Sequence, residues 1–150
     1  MATGKQRRVL RRIALAVLAV LALLAAKAWR DTMADPVVRR AEVTLPGLPA
    51  GSAPLTLLVM SDMHVAGPDM PPARLARIVA QVNALKPDLV LLTGDLISDR
   101  RLATRHYSLA EAVAPLAGLR PRLGTAAVLG NHDHWRNAAV ARAELARTGA

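Results

Sequence analysis

Three short apolar segments limit the folds open to this 150-residue chain more than any other feature. They are LTLLVM at 55–60, LVLLT at 89–93 and AAVL at 126–129, and none contains a charge. A continuous apolar run of this length is typical of a strand that is covered on both faces of its sheet. We therefore predict strands at all three places, the first covered on both faces and the second also buried.

Helical patterns separate these strands. From residue 72 to residue 86 the apolar side chains recur every three or four positions, and a proline stands at each end of the segment. Further helices are predicted at 108–119 and 138–147. Strands that alternate with helices at this spacing predict βαβ units and a mainly parallel sheet, which is an α/β fold.

The N-terminus carries a different signal. Five basic residues precede fourteen uninterrupted apolar residues at 13–26, and Lys27, Trp29 and Arg30 come next. Fourteen helical residues cover about 21 Å, which is less than a hydrocarbon core of about 30 Å. The run can span a membrane if its flanking charges and Trp29 reach the two interfaces.

Three interpretations of this N-terminal run stay open. It is an uncleaved signal anchor at 13–29 behind a basic arm at 1–12, a signal peptide cleaved near Ala26-Lys27-Ala28, or a buried helix of a soluble protein. The excess of positive charge before the run predicts a cytoplasmic N-terminus. We therefore predict a single-pass protein of the inner (plasma) membrane with an extracytoplasmic catalytic part, or export after signal cleavage.

The net charge of +9 is concentrated in the same region. Residues 1–40 carry nine Lys or Arg and two Asp, a net +7, whereas the other 110 residues carry eleven and nine, a net +2. The chain also has only three aromatic residues on which bases could stack. We therefore predict that it binds a membrane and no nucleic acid. Residues 30–54 contain four Pro and two Gly and predict a linker, with a short strand at 41–45.

Polar side chains follow each predicted strand at its C-terminal end. In a parallel α/β sheet this edge is where ligands bind. The chain has no cysteine, so a metal there would have oxygen and nitrogen ligands, which suit Mn, Fe or Zn. The residues concerned are Asp62 and His64, then Asp95, then Asn131, His132 and Asp133.

These residues stand in the motifs SDMH (61–64), TGDLISD (93–99) and LGNHDHW (129–135). In this order the motifs resemble the calcineurin-like metallophosphoesterase family, over residues 55–136 and most closely its branch of membrane-associated or exported bacterial phosphodiesterases. The resemblance implies a metallophosphatase-type α/β/β/α sandwich. The chain would hold the N-terminal βαβαβ half, at 55–150, behind an N-terminal membrane helix.

The resemblance also implies a metal-dependent hydrolase of phosphate esters, with a dinuclear centre of two divalent ions (Mn, Fe or Zn) and a bridging hydroxide. Asp62 and His64 would hold the first ion, Asp95 would bridge both ions, and Asn131 would bind the second. The bonds cleaved would be phosphodiester or diphosphate bonds, and lipid-linked substrates belong to that class.

Two further residues would act on the substrate. By the same resemblance, His132 contacts the phosphate and protonates the leaving oxygen, while Asp133 orients the His132 ring. His134 is predicted to lie at the surface or next to the ligands, the alternative being an additional metal ligand. Arg100, Arg101 and Arg105 form either a solvated charge run or a group that steers anionic substrate.

The chain departs from the family pattern in two places. Ser98 stands where the second acid usually lies, and Asp99 comes one residue later. The later histidine ligands of the family have no counterpart after His134. We therefore predict that the chain is the N-terminal part of a longer enzyme. Taken alone, this part is expected to have an incomplete second metal site, to bind one ion weakly and to have little activity. The alternative is a membrane-anchored, non-catalytic metal-binding remnant or interaction module.

Overall fold

The computed structural model describes residues 4–47, 49, 51–98 and 103–150. Asp99, Arg100 and Arg101 therefore lie outside the described residues. The chain divides into two compact units, Met1–Val37 and Val38–Ala150, and each is taken by itself below.

The first unit is one helix, α1, at Gly4–Met33. It includes residues 4–12 of the basic arm as well as the apolar run, since Ala, Leu, Arg and Lys all favour helix. Its 30 residues make it longer than the predicted segment at 13–29, and none of them is buried. By length and composition, α1 is able to cross a membrane.

The second unit contains a three-stranded sheet whose strands are β1 (Leu57–Met60), β2 (Leu89–Leu92) and β3 (Thr125–Ala127). Both pairings are parallel, and the strand order is β1-β2-β3. The predicted parallel α/β sheet is therefore confirmed. Because the strands are parallel, the residues that follow them meet at one edge of the sheet.

Four helical segments belong to the same unit as the sheet. Helix α2 covers Pro72–Ala84, as the apolar pattern predicts. The segment predicted as one helix at 108–119 is instead helix α3 (Leu109–Val113) followed by a 3₁₀ helix (Ala114–Gly118) that has a proline in its first turn. Proline lacks the N–H that would continue the α-helical hydrogen bonds, which explains the change.

Helix α4 covers Asn131–Thr148 and begins seven positions before its predicted start at 138. The motif GNHD thus enters a helix directly. Asn137 interrupts the helix with φ 175° and ψ 99°, and its Oδ1 accepts a hydrogen bond from the Val140 N–H at 3.1 Å. Asn137 therefore caps the second part of α4, which is the part that the apolar pattern predicts.

The core lies on one face of the sheet. Met60, Val90 and Leu92 join the buried side chains of α2, α3, the 3₁₀ helix and α4 in one cluster. On the opposite face Leu57 and Val59 are 51% and 59% exposed. The prediction that β1 is covered on both faces is wrong for the described chain, because its helices share a core with only one face.

The predicted short strand at 41–45 is also wrong. These residues are exposed and have no strand partner among the described residues. A strand is stabilised by the hydrogen bonds of a neighbour, so β-forming side chains alone do not make one.

Candidate metal centre

Backbone hydrogen bonds hold the loops after β1 and β2 together. The Asp62 N–H donates to the Gly94 carbonyl at 3.3 Å, and the His64 N–H donates to the Asp95 carbonyl at 2.9 Å. The His132 N–H, from the first turn of α4, donates to Asp95 Oδ1 at 3.0 Å. All three strand ends are thereby joined around Asp95.

Several residues of these loops have left-handed backbone conformations. Asp62, His64 and Asp95 have φ values of 54°, 43° and 53°. Non-glycine residues seldom adopt such values, and they occur together at functional sites more often than elsewhere. The loops after β1 and β2 therefore share an uncommon backbone conformation at their candidate ligands.

Gly94 and Gly130 let the second and third loops touch. A Cβ on Gly94, whose φ is +92°, would lie 2.2 Å from the Gly130 nitrogen, and a Cβ on Gly130 would lie 2.1 Å from Asp95 Oδ1. The atoms nearest to a Cβ on Gly94 are backbone atoms of Leu129 and Gly130, which cannot move aside as a flexible side chain could. Glycine is therefore required at both positions by the close approach of the loops.

The candidate ligand atoms lie within coordination reach of one another. His64 Nε2 is 3.8 Å from Asp62 Oδ1 and 4.0 Å from Asp95 Oδ2. Ligand atoms of His64, Asp95 and His132 all lie within 4.8 Å of one another. Two ligands of one ion at about 2.1 Å each are at most about 4.2 Å apart, so His64 is close enough to each of the two carboxylates to share a divalent ion with it.

Exposure and the remaining hydrogen bonds also suit a metal site. The Asp62 side chain is 65% exposed and accepts a short hydrogen bond from the Ser61 hydroxyl, whereas the side chains of His64 and Asp95 are 21% and 16% exposed. His64 Nδ1 is buried without a hydrogen-bond partner among the described residues. An ion could thus enter from the Asp62 side and meet two partly buried ligands.

The His132 ring contacts the rings of both His64 and Trp135. It meets the ring of His64 edge to face with centroids 4.6 Å apart, and it meets the ring of Trp135 at 4.8 Å. The structure thus brings His132 to the same group as the predicted ligands. Its predicted part in protonating the leaving oxygen stays a prediction.

Asp133 is fully buried and accepts three hydrogen bonds from backbone N–H groups. Its Oδ1 binds Leu96 and Ile97 at 2.9 and 3.3 Å, and its Oδ2 binds Gly130 at 3.0 Å. The carboxylate therefore links the loop after β2 to the start of α4. Its predicted action on the ring of His132 stays a prediction.

The other predicted residues take different places. Asn131 is exposed and is the first residue of α4. His134 is exposed, as predicted, and its Nδ1 is 2.8 Å from the Gly130 carbonyl oxygen. Ser98 is buried.

Comparison with known proteins agrees with this geometry. Residues 55–148 match the calcineurin-like phosphoesterase family. The chain belongs to that family. Metallophosphoesterases hydrolyse phosphate esters with the help of metal ions, and the residues that converge here are of the type that such ions require.

Two vertebrate relatives carry the name "Transmembrane protein with metallophosphoesterase domain". The zebrafish protein is 38% identical over 89% of this chain and the cattle protein 35% identical over 87%. A Chlamydia trachomatis relative, a UDP-2,3-diacylglucosamine pyrophosphatase, is 30% identical over 53% of the chain. These relatives do not single out a bacterial branch.

The chain spans 28% of the length of each vertebrate relative and 23% of the chlamydial one. No solved structure matches the chain significantly. The vertebrate names and the apolar helix α1 both point to membrane association.

Sequence reasoning missed two features of the centre. One is the contact of Trp135 with His132, for which the i, i+3 spacing within a helix is the available signal. The other is the hydrogen bond from the Gly130 N–H to the Asp133 carboxylate, in which the third residue of a helix accepts from the residue that precedes the helix. Both depend on α4 beginning at Asn131.

Proposed function

We propose that this family member is a metal-dependent hydrolase of phosphodiester or diphosphate bonds that uses two divalent ions, Mn, Fe or Zn. The convergence of His64, Asp95 and His132 from three strand ends carries the proposal. Divalent ions, when bound, stabilise the charge that develops on phosphoryl oxygens and lower the pKa of water.

Asp62, His64 and Asp95 are proposed to hold the first ion. The His132 N–H holds Asp95 Oδ1, and Oδ2 lies 4.0 Å from His64 Nε2. One carboxylate can therefore serve the ion beside His64 and also a second ion. Asn131 is proposed as a neutral oxygen ligand of that second ion, and its exposed position leaves the side chain accessible.

His132 is proposed to bind the phosphate and to donate a proton to the leaving oxygen. Its ring is half-buried and lies 4.6 Å from the ring of the ligand His64, so a phosphate held by the ions would lie within its reach. A positioned general acid of this kind contributes about 10²- to 10⁴-fold to a rate.

The substrate class and the place of action belong to the same proposal. The chlamydial relative is named as a pyrophosphatase of an acylated sugar nucleotide, which favours a diphosphate or diester that is lipid-linked. Helix α1 is proposed as a signal anchor in the plasma membrane that leaves residues 38–150 outside the cytoplasm, because its basic residues precede its apolar run.

The decisive measurement is Mn²⁺ binding to the 150-residue chain by calorimetry. His64→Ala and Asp95→Ala should each weaken binding at least about tenfold, because loss of a ligand exceeds the cost of losing an outer hydrogen bond. His106→Ala is the matched control, since His106 is an exposed loop residue. Equal Mn²⁺ affinity of wild type and the Asp95 variant would contradict the proposal.

Hydrolysis of bis(4-nitrophenyl) phosphate separates an enzyme from a metal-binding remnant. A Mn²⁺-dependent rate that falls in His132→Ala, with Mn²⁺ affinity retained, supports His132 as the general acid. A fall in affinity as well would make His132 a ligand instead. Tight Mn²⁺ binding without hydrolysis, in this chain and in longer proteins that contain it, would favour the non-catalytic remnant.

A further inference from the structure

Trp135 is exposed over 67% of its surface although its ring contacts His132 at 4.8 Å. The chain has only two tryptophans and no phenylalanine. One of these few large aromatic rings is therefore exposed beside the candidate centre. An exposed aromatic ring is a surface on which another planar group can stack.

An open groove of about 540 Å³ lies between the start of α3 and the first half of α4. Trp135, Leu109 and Val140 give it apolar walls, Ser108 adds a hydroxyl, and Arg136 and Glu144 add charges of opposite sign. Its volume is in the range of small-molecule sites, which combine apolar walls with a few polar groups.

The interruption of α4 belongs to the wall of this groove. Asn137, where the helix is broken, lines the groove together with Val140, whose N–H it binds. On the opposite wall, Ser108 is held by a capping box with Glu111 at the start of α3. Both walls are thus tied by hydrogen bonds before any ligand arrives.

We propose that this groove, defined by Ser108, Leu109, Trp135, Arg136 and Val140, binds the aromatic group of an aryl phosphate ester. The inference rests on the proposed function. One side of Trp135 meets His132, and the ring also lines the groove. The ring of an aryl ester is one bridging oxygen away from phosphorus, so it can contact Trp135 while the phosphate contacts His132.

Arg136 contributes charge to the same groove. Its guanidinium attracts the anionic ester, because the carboxylate of Glu144 in the same groove is ion-paired with Arg147. The apolar walls favour the ring. A short alkyl phosphate has the same charge and no planar ring. The groove therefore predicts preference for an aryl over an alkyl ester of equal charge.

The test compares phenyl phosphate with butyl phosphate in Mn²⁺-loaded chain by calorimetry. Phenyl phosphate should bind at least about fivefold more tightly, because stacking on an aromatic side chain raises affinity by about that factor or more. Trp135→Ala should remove the preference, and Trp135→Phe should keep part of it. Arg136→Gln should weaken both esters, whereas Arg142→Gln, the matched control on the exposed part of α4, should leave both unchanged.

Fluorescence gives an independent readout. Trp29→Phe leaves Trp135 as the single tryptophan, whose emission should change with phenyl phosphate and not with inorganic phosphate, at constant Mn²⁺. Equal affinities for the two esters, or a preference that survives Trp135→Ala, would overturn the inference. If Trp135 only positions His132, its removal weakens both esters equally. Failure of Mn²⁺ to bind would instead refute the proposed function.

Discussion

At Gly94 the backbone of one loop of the candidate metal centre touches the backbone of the next. The nearest atom to a Cβ placed there is the Gly130 nitrogen, at 2.2 Å. Gly124 has nearly the same φ, +90° against +92°, but nothing lies within 4 Å of its Cβ position. Comparing alanine substitutions at the two glycines therefore separates the effect of a left-handed backbone on stability from the effect of the close contact.

We expect Gly124→Ala to lower the free energy of unfolding by about 1 to 2 kcal/mol, the cost of a left-handed alanine. Gly94→Ala should lower it by a further 1 to 3 kcal/mol or so, because the methyl group forces the loops apart. It should also weaken Mn²⁺ binding, which Gly124→Ala should not. Denaturant unfolding and calorimetry measure both, and equal effects of the two substitutions would contradict the close approach.

At the scale of elements, one carboxylate ties the N-terminal ends of the strands. Asp88, just before β2, accepts a hydrogen bond from the Thr56 N–H before β1 at 2.9 Å. It also accepts one from Arg122 Nε, before β3, at 2.9 Å. First the Thr56 hydrogen bond and then Arg122 hold the pKa of Asp88 below its ordinary value of 3.8.

The lowered pKa of Asp88 gives its stabilising effect a definite pH dependence. The unfolded chain protonates first as the pH falls, so the contribution is complete above about pH 5 and is lost through the folded pKa. Asp88→Asn should therefore unfold more easily than wild type near neutral pH, with a difference that shrinks below pH 3.8. Thermal unfolding from neutral pH downward checks this, with the exposed Glu42→Gln as control. A difference constant with pH would refute it.

Elements differed in how far the sequence predicted them. Helix α2 follows its apolar pattern because its buried stripe packs directly on the core. The start of α4 was missed because residues 131–137 have no apolar period, and their helix is held by the Asp133 carboxylate on Gly130. A hydrogen bond between distant segments, such as the one from the Leu96 N–H to Asp133, leaves no pattern in the local sequence.

At the scale of the whole molecule, α1 differs from everything that follows it. None of its residues is buried, whereas the second unit buries apolar residues around one face of the sheet. A helix that is apolar all round is expected in a lipid environment. The exposed Leu57 and Val59 form a second, smaller apolar surface on the sheet.

We expect the chain to float with phospholipid vesicles in a density gradient because of α1. Leu18→Arg combined with Leu21→Arg should release it, since each charge at the centre of a spanning helix costs about 2.5 to 3.5 kcal/mol. Gln6→Arg adds a similar charge near the helix end and should leave the chain on the vesicles. Vesicle binding that survives both central arginines would contradict a spanning helix.

The sequence by itself determined the parallel α/β arrangement, the long apolar N-terminal helix and the meeting of His64, Asp95 and His132 at one edge of the sheet. These follow from local patterns and from the rule that parallel strands end at one edge. Only the tertiary structure decided the contact of Gly94 with Gly130, the burial of Asp133 and the exposure of one sheet face. Each depends on which distant segments meet, and no local pattern of side chains records that.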